Sequence, residues 1–129
     1  MVRQANILVI DDEESMRDSC LQTLSRKGYS VDTADNGILG LSMMKEKAYD
    51  LIILDLKMPG FNGMEVLKEV NQKSPETLVI VITGHATIES AVEAMKIGAY
   101  DFIPKPFTPE SLRMIVKRAL STRELTLEN

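Results

Sequence analysis

Acidic residues come directly after two uninterrupted apolar runs of the sequence. Residues 7–10 are followed by Asp11 and Asp12, and residues 51–54 are followed by Asp55. Apolar runs of this length, bounded by turn-forming residues, are typical of parallel strands that are buried on both faces. A carboxylate at the end of such a strand is costly unless positive charge or hydrogen bonds compensate it. We therefore expect the three aspartates to lie beside a compensating cation.

Two further polar residues stand at the ends of predicted strands. Thr83 follows the apolar run 78–82, and Lys105 lies just past a strand predicted over residues 99–103. The carboxyl ends of parallel strands meet at one edge of an open α/β sheet, and ligands bind at that edge. Both side chains are therefore expected to join the aspartates there.

The chemistry that suits this set of side chains is phosphoryl transfer to a carboxylate. Oxygen ligands without an accompanying Cys or His cluster favour Mg²⁺ over Zn²⁺. A carboxylate such as Asp55 can attack phosphorus to form an aspartyl phosphate, a reaction that needs positioning and charge neutralisation above all. Lys105 can neutralise phosphoryl oxygens, and the hydroxyl of Thr83 can donate a hydrogen bond to one of them.

The elements that must position these residues alternate as strand and helix five times. Strands are predicted over residues 7–10, 29–34, 51–54, 78–82 and 99–103, and helices over roughly 13–28, 38–49, 63–73, 87–97 and 109–121. Such alternation predicts an α/β protein with a parallel five-stranded sheet that is covered on both faces. A doubly wound strand order of 2-1-3-4-5 would set the strands before Asp11 and Asp55 side by side.

Length and composition restrict the class of protein. The 129 residues suffice for one domain, which we place at residues 1–121, with 122–129 as a tail or the start of a linker to an output domain. The net charge of −4 argues against direct nucleic-acid binding, which needs a basic patch. No apolar run approaches a membrane span of about 18 residues. The single Cys20 excludes an internal disulfide and is compatible with the cytoplasm.

Taken together, the motifs of this chain resemble those of the receiver domains of two-component response regulators, over roughly residues 5–121. The matching motifs are Asp11-Asp12, Asp-Leu-Lys-Met-Pro-Gly at 55–60, Thr-Gly-His-Ala at 83–86 and Lys-Pro-Phe at 105–107. The 83–86 motif and the stretch 98–107 look most like the nitrogen-regulatory class (NtrC), whose members activate sigma-54 transcription. Their ATPase and helix-turn-helix domains are not present in these 129 residues, so both an excised and a stand-alone receiver remain open.

The resemblance implies a flavodoxin-like (βα)5 fold and assigns a role to each acidic residue. Asp55 would accept a phosphoryl group from a sensor histidine kinase. Mg²⁺ would be bound by Asp12, Asp55 and the main-chain carbonyl of Lys57, with Asp11 acting largely through water. The domain would be regulatory, with no enzymatic turnover beyond slow autophosphorylation and autodephosphorylation.

The resemblance also implies which residues would respond to phosphorylation. Thr83 and Lys105 would bind the phosphoryl group, and Phe102, where many members have tyrosine, would move as Thr83 is drawn inward. The peptide bond between Lys105 and Pro106 is commonly cis in the family. Helix 4, strand 5 and helix 5 would form the output face toward an output domain or partner protein, and a phosphorylation-dependent homodimer is a further expectation. Lys57 and His85 occupy positions that modulate the phosphate lifetime.

Other interpretations of the same residues remain. A phosphate-ester hydrolase would also use an aspartate nucleophile and a metal ion, but it would need a general acid at the position that Lys57 occupies. A pure interaction domain would be expected to have lost one of the acids or the lysine. Taken singly, Asp55 could cap a loop, Glu13 and Glu14 could be no more than acids at a helix start, and His85 could be an ordinary loop residue.

Overall fold

The sheet of this protein has five parallel strands in the order 2-1-3-4-5. The structure, a computed structural model, describes residues 4–58, 61–84 and 88–128. The strands are β1 (Asn6–Ile10), β2 (Ser30–Ala34), β3 (Leu51–Asp55), β4 (Leu78–Thr83) and β5 (Asp101–Pro104). Every neighbouring pair is parallel, and β1 lies between β2 and β3. The predicted fold class and strand order are therefore confirmed.

In the described part of the chain, five helices connect and follow the strands. They are α1 (Glu14–Ser25), α2 (Gly37–Glu46), α3 (Gly63–Lys73), α4 (Ile88–Ile97) and α5 (Pro109–Glu128). α2 ends before the predicted limit near residue 49, because Lys47 has already adopted an extended backbone. β5 begins at Asp101 rather than at residue 99. The predicted helix start near Thr87 lies outside the described residues.

The core consists of two apolar layers, one on each face of the sheet, because successive side chains of a strand point to opposite faces. On one face α1 and α5 cover a layer that includes Ile7, Val9, Ile53, Ile80, Ile82, Leu112 and Val116. On the other face α2, α3 and α4 cover a layer that includes Leu8, Ile10, Leu54, Val66, Leu67, Val81 and Ala94. The central strand β3 is buried along its whole length, as its continuous apolar run predicts.

The chain after Asp55 forms a short antiparallel pairing that the sequence analysis did not anticipate. Lys57–Met58 pairs with Phe61–Asn62 before α3 begins. Pro59 and Gly60, which end the 55–60 motif, lie outside the described residues. The Asn62 side chain accepts a hydrogen bond of 2.9 Å from the amide of Met64 and so caps α3.

α5 continues past residue 121 to Glu128 without a break. The domain boundary at residue 121 stays a prediction. Within the described part of the chain, none of the helices has the length and hydrophobicity that crossing a bilayer requires.

Candidate metal site at the carboxyl edge of the sheet

Three aspartates converge at the carboxyl edge of β1 and β3. Asp11 follows β1 and Asp55 ends β3, and these two strands are paired in register. One carboxylate oxygen from each of Asp11, Asp12 and Asp55 lies within 4.8 Å of the other two. Asp11 and Asp55 are buried, whereas Asp12 is exposed. The group is therefore enclosed on the protein side and open to solvent beside Asp12.

Only one of the two carboxylate oxygens of Asp11 accepts a hydrogen bond from the described residues. Its Oδ1 accepts a hydrogen bond of 2.9 Å from the amide of Glu13. Its Oδ2 is buried and forms an ion pair of 3.1 Å with Nζ of Lys105, and Oδ2 has no hydrogen-bond partner among the described residues. Burial, and secondarily the charge of Asp55, raises the pKa of Asp11 above its ordinary value. A cation at this edge would compensate that oxygen.

Lys105 brings one ammonium group into contact with three carboxylates. Its Nζ lies 3.0 Å from Glu13 Oε1, 3.1 Å from Asp11 Oδ2 and 3.2 Å from Asp55 Oδ2. Burial by itself would lower the pKa of this lysine, but the hydrogen bond to Glu13 and the interactions with the two aspartates outweigh it and raise the pKa. Lys105 therefore stays charged and holds the acidic residues together.

The backbone on both sides of the site is held by the sheet. The amide of Lys57 donates a hydrogen bond of 2.9 Å to Asp55 Oδ1, so both oxygens of Asp55 have protein contacts. The amide of Lys105 donates to the carbonyl of Thr83 at 3.0 Å, and the peptide bond between Lys105 and Pro106 is cis. The backbone at Lys57 thus lies beside the aspartates, while the metal-binding role of its carbonyl stays a prediction.

Thr83 and Phe102 lie on neighbouring strands at the same edge. Thr83 is the buried last residue of β4, and Val81 and Thr83 pair with Phe102 and Pro104 of β5. Because side chains alternate along a strand, Thr83 and Phe102 point to the same face of the sheet. Phe102 is partly buried and packs against the core layer beneath α2, α3 and α4.

One residue of this cluster, Glu13, was not predicted from the sequence. The sequence pattern indicated only that Glu13 and Glu14 start α1, yet the carboxylate of Glu13 reaches Lys105. The available signal was that Glu13 directly follows Asp11 and Asp12 at the same strand end. His85 and Ala86, which contributed to the resemblance, lie outside the described residues.

Comparison with known families identifies the class to which this fold and site belong. The family described as "Response regulator receiver domain" matches residues 7–117. The chain therefore belongs to the response regulator receiver family, whose members are phosphorylation-controlled signalling domains and are regulatory rather than catalytic. The resemblance stated from the motifs is confirmed.

The individual relatives of this chain include transcriptional regulators of the NtrC type. The chain is 38% identical over 128 residues to a putative NtrX-like response regulator of Rickettsia felis, and 40% identical over 127 residues to the C4-dicarboxylate transport transcriptional regulatory protein DctD of Pseudomonas aeruginosa. In both cases the alignment covers 98% of this chain and 27% of the relative. The chain thus spans about a quarter of the length of these curated relatives.

Solved structures show the same fold at similar identity. The structure of NtrX from Brucella abortus has a TM-score of 0.93 at 39% identity, covering 98% of this chain and 29% of that one. A CheY-like receiver domain protein from Methanospirillum hungatei has a TM-score of 0.93 at 31% identity, covering 96% of this chain and 99% of the other. The second comparison shows that a receiver of this size also occurs as a whole crystallised chain.

Proposed function

We propose that this chain is a phosphorylation switch in which Asp55 accepts a phosphoryl group from a sensor histidine kinase. The observation that carries the proposal is the convergence of Asp11, Asp12 and Asp55 within 4.8 Å, with Lys105 in contact with Asp11 and Asp55. Crowded carboxylates with one lysine suit a site that must bind a divalent cation and an anionic group together.

The donor set fits Mg²⁺. Asp12, Asp55 and the main-chain carbonyl of Lys57 would hold it, with Asp11 contributing largely through water, and each of these donors is an oxygen. The buried Oδ2 of Asp11, which lacks a hydrogen bond among the described residues, supports a cation at this point. When bound, the metal neutralises charge on the carboxylates and on the transferring phosphoryl group.

The transfer step uses the carboxylate of Asp55 as the nucleophile. A carboxylate oxygen forms a bond to the phosphorus of a phosphohistidine, and the phosphorus–nitrogen bond breaks. The leaving imidazole nitrogen keeps the electron pair and takes up a proton. Lys105 and Thr83 bind the phosphoryl oxygens, whose charge of about −1.5 to −2 would otherwise be uncompensated.

The switch follows from the shared face of Thr83 and Phe102. Movement of Thr83 toward the phosphoryl group would open space that the ring of Phe102 can enter, and it would change the surface formed by α4, β5 and α5. Exposed apolar side chains on α4 and α5 support a partner at this surface; they are Val92, Met95 and Met114.

The partners that this function requires are proposals, because the relatives are about four times longer than this chain. They are a sensor histidine kinase, an output domain or partner protein that acts in transcription, and a second copy of the chain when dimerisation depends on phosphorylation. We place the reaction in the cytoplasm, where such kinases present their phosphohistidine.

Intact-mass measurement after incubation with Mg²⁺ and acetyl phosphate tests the proposal. Wild-type protein should gain about 80 Da, the mass of one PO₃ group. The Asp55→Asn variant should gain nothing, whereas Asp18→Asn, which alters an exposed aspartate on α1, should behave as wild type. A wild type without the adduct, or an Asp55→Asn variant with it, would refute the assignment, and steady hydrolysis of phosphate esters would favour the hydrolase.

A further inference from the structure

One carboxylate at the mouth of the site has no role in the proposed reaction. Glu13 Oε1 lies 3.0 Å from Nζ of Lys105, closer than either aspartate. The Glu13 side chain is 57% exposed, whereas those of Asp11 and Asp55 are 0% and 4% exposed. Lys105 is therefore held between two buried acids and one acid that faces solvent.

The backbone of Glu13 shows that this contact is built into the site. Glu13 occupies the N-cap position of α1, but its side chain makes no capping hydrogen bond. Its amide instead donates to Asp11 Oδ1 at 2.9 Å, which fixes the base of the side chain against the aspartate cluster. The carboxylate of Glu13 therefore contacts Lys105 instead of capping α1.

Carboxylate oxygens surround the ammonium group of Lys105. Of its three N–H donors, two make hydrogen bonds, to Glu13 Oε1 and Asp55 Oδ2, and Asp11 Oδ2 lies 3.1 Å from Nζ without a hydrogen bond. A phosphoryl group on Asp55 would compete with these carboxylates for Lys105. Glu13 is the one that can leave at least cost, because water can solvate its exposed carboxylate as soon as the contact breaks.

We propose that Glu13 is a positioning residue that holds Lys105 at the mouth of the site and must release it before the phosphoryl group is bound. This inference rests on the proposed function. It gives Glu13 two opposed effects. Its negative charge attracts Mg²⁺ to the site, while its ion pair with Lys105 slows acceptance of the phosphoryl group.

The two effects can be measured separately with Glu13→Gln and Glu13→Asp. Isothermal titration calorimetry gives the Mg²⁺ affinity, and intact mass gives the rate of modification by acetyl phosphate at saturating Mg²⁺. Glu13→Gln should bind Mg²⁺ about two- to fivefold more weakly, because one nearby charge is removed. It should nevertheless be modified about three- to tenfold faster, because a neutral amide holds Lys105 less tightly than a carboxylate does. Glu13→Asp should keep the Mg²⁺ affinity and still be modified faster, because its shorter side chain no longer reaches Lys105.

The matched control is Glu14→Gln, which removes an equal charge from the exposed first turn of α1. This control should stay within about twofold of wild type in both measurements. Equal effects in both Gln variants, or a Glu13→Gln protein modified no faster than wild type, would overturn the role of Glu13 while leaving the proposed function intact. A wild type that takes up no phosphoryl group would instead refute the proposed function, and the role of Glu13 with it.

Discussion

Arg123 of α5 and Asp50, which directly precedes β3, form an ion pair with a distance of 2.7 Å between Nη1 and Oδ1. Both side chains are mostly buried, at 14% and 5% exposure. The other oxygen of Asp50 accepts a hydrogen bond from the amide of Asn6, and Nε of Arg123 donates to the carbonyl of Glu76. The last turns of α5 are therefore attached to the amino edge of the sheet, opposite the aspartate cluster.

Replacing Arg123 by methionine should destabilise the fold. The substitution leaves a buried carboxylate with one partner fewer, and breaking such a pair costs about 2–4 kcal/mol. Urea unfolding measures this loss directly. The control is Arg118→Met, whose ion pair with Asp101 is 3.9 Å long and exposed, and whose loss should cost less than about 0.5 kcal/mol. Equal losses in both variants would show that the Arg123 pair contributes no more than a surface contact.

The hydrogen bond from the Tyr49 hydroxyl to Asp32 should make the free energy of unfolding depend on pH. The hydroxyl donates a hydrogen bond of 2.7 Å to Asp32 Oδ2, and this bond, with a smaller contribution from Lys47, lowers the pKa of Asp32 below its ordinary value. A carboxylate with a lowered folded-state pKa stabilises the fold above its unfolded pKa of about 3.9, and the contribution is lost as the pH falls through the folded-state pKa. The free energy of unfolding should therefore fall less steeply below about pH 4 in Tyr49→Phe than in wild type.

Chemical denaturation at a series of pH values tests this dependence. Tyr29→Phe is the matched control, because the Tyr29 hydroxyl has no hydrogen-bond partner in residues 4–58, 61–84 and 88–128. It should keep the wild-type slope. A Tyr49→Phe protein with the same acid slope as wild type would exclude the hydrogen bond to Asp32 as the source.

Gly63→Ala should damage the candidate site through the backbone. A Cβ atom at Gly63 would lie 2.5 Å from Leu56 Cα, 2.7 Å from Leu56 O and 2.9 Å from Asp55 O. The added methyl group must push away the segment that follows Asp55, which carries the carbonyl of Lys57. We expect a loss of roughly 1–3 kcal/mol in unfolding free energy and about tenfold weaker Mg²⁺ binding.

The control for this substitution is Gly84→Ala, at the same edge of the sheet. A Cβ atom there meets no atom of the described residues within 4 Å. It should leave Mg²⁺ affinity, measured by calorimetry, near the wild-type value. Unchanged Mg²⁺ binding in Gly63→Ala would show that the site tolerates movement of the segment after Asp55.

The sequence predicted the fold and the members of the aspartate cluster because both follow from local rules. Apolar runs identify buried strands, alternation with helical patterns identifies a parallel sheet, and polar residues at strand ends must then meet at one edge. These rules place Asp11, Asp55, Thr83 and Lys105 at that edge but give no distances between their side chains. They do not assign Glu13 to the site, because an acid at a helix start has a sufficient local explanation.

The sequence by itself therefore determined the topology and brought the aspartates, Thr83 and Lys105 to the carboxyl edge. Only the tertiary structure decided how the ammonium of Lys105 is divided among three carboxylates, and that α5 is attached to the sheet by Arg123 and Asp50. The physical reason is that hydrophobic periodicity depends on neighbouring residues, whereas an ion pair depends on side-chain rotamers and on two segments, distant in sequence, that meet only when the core closes.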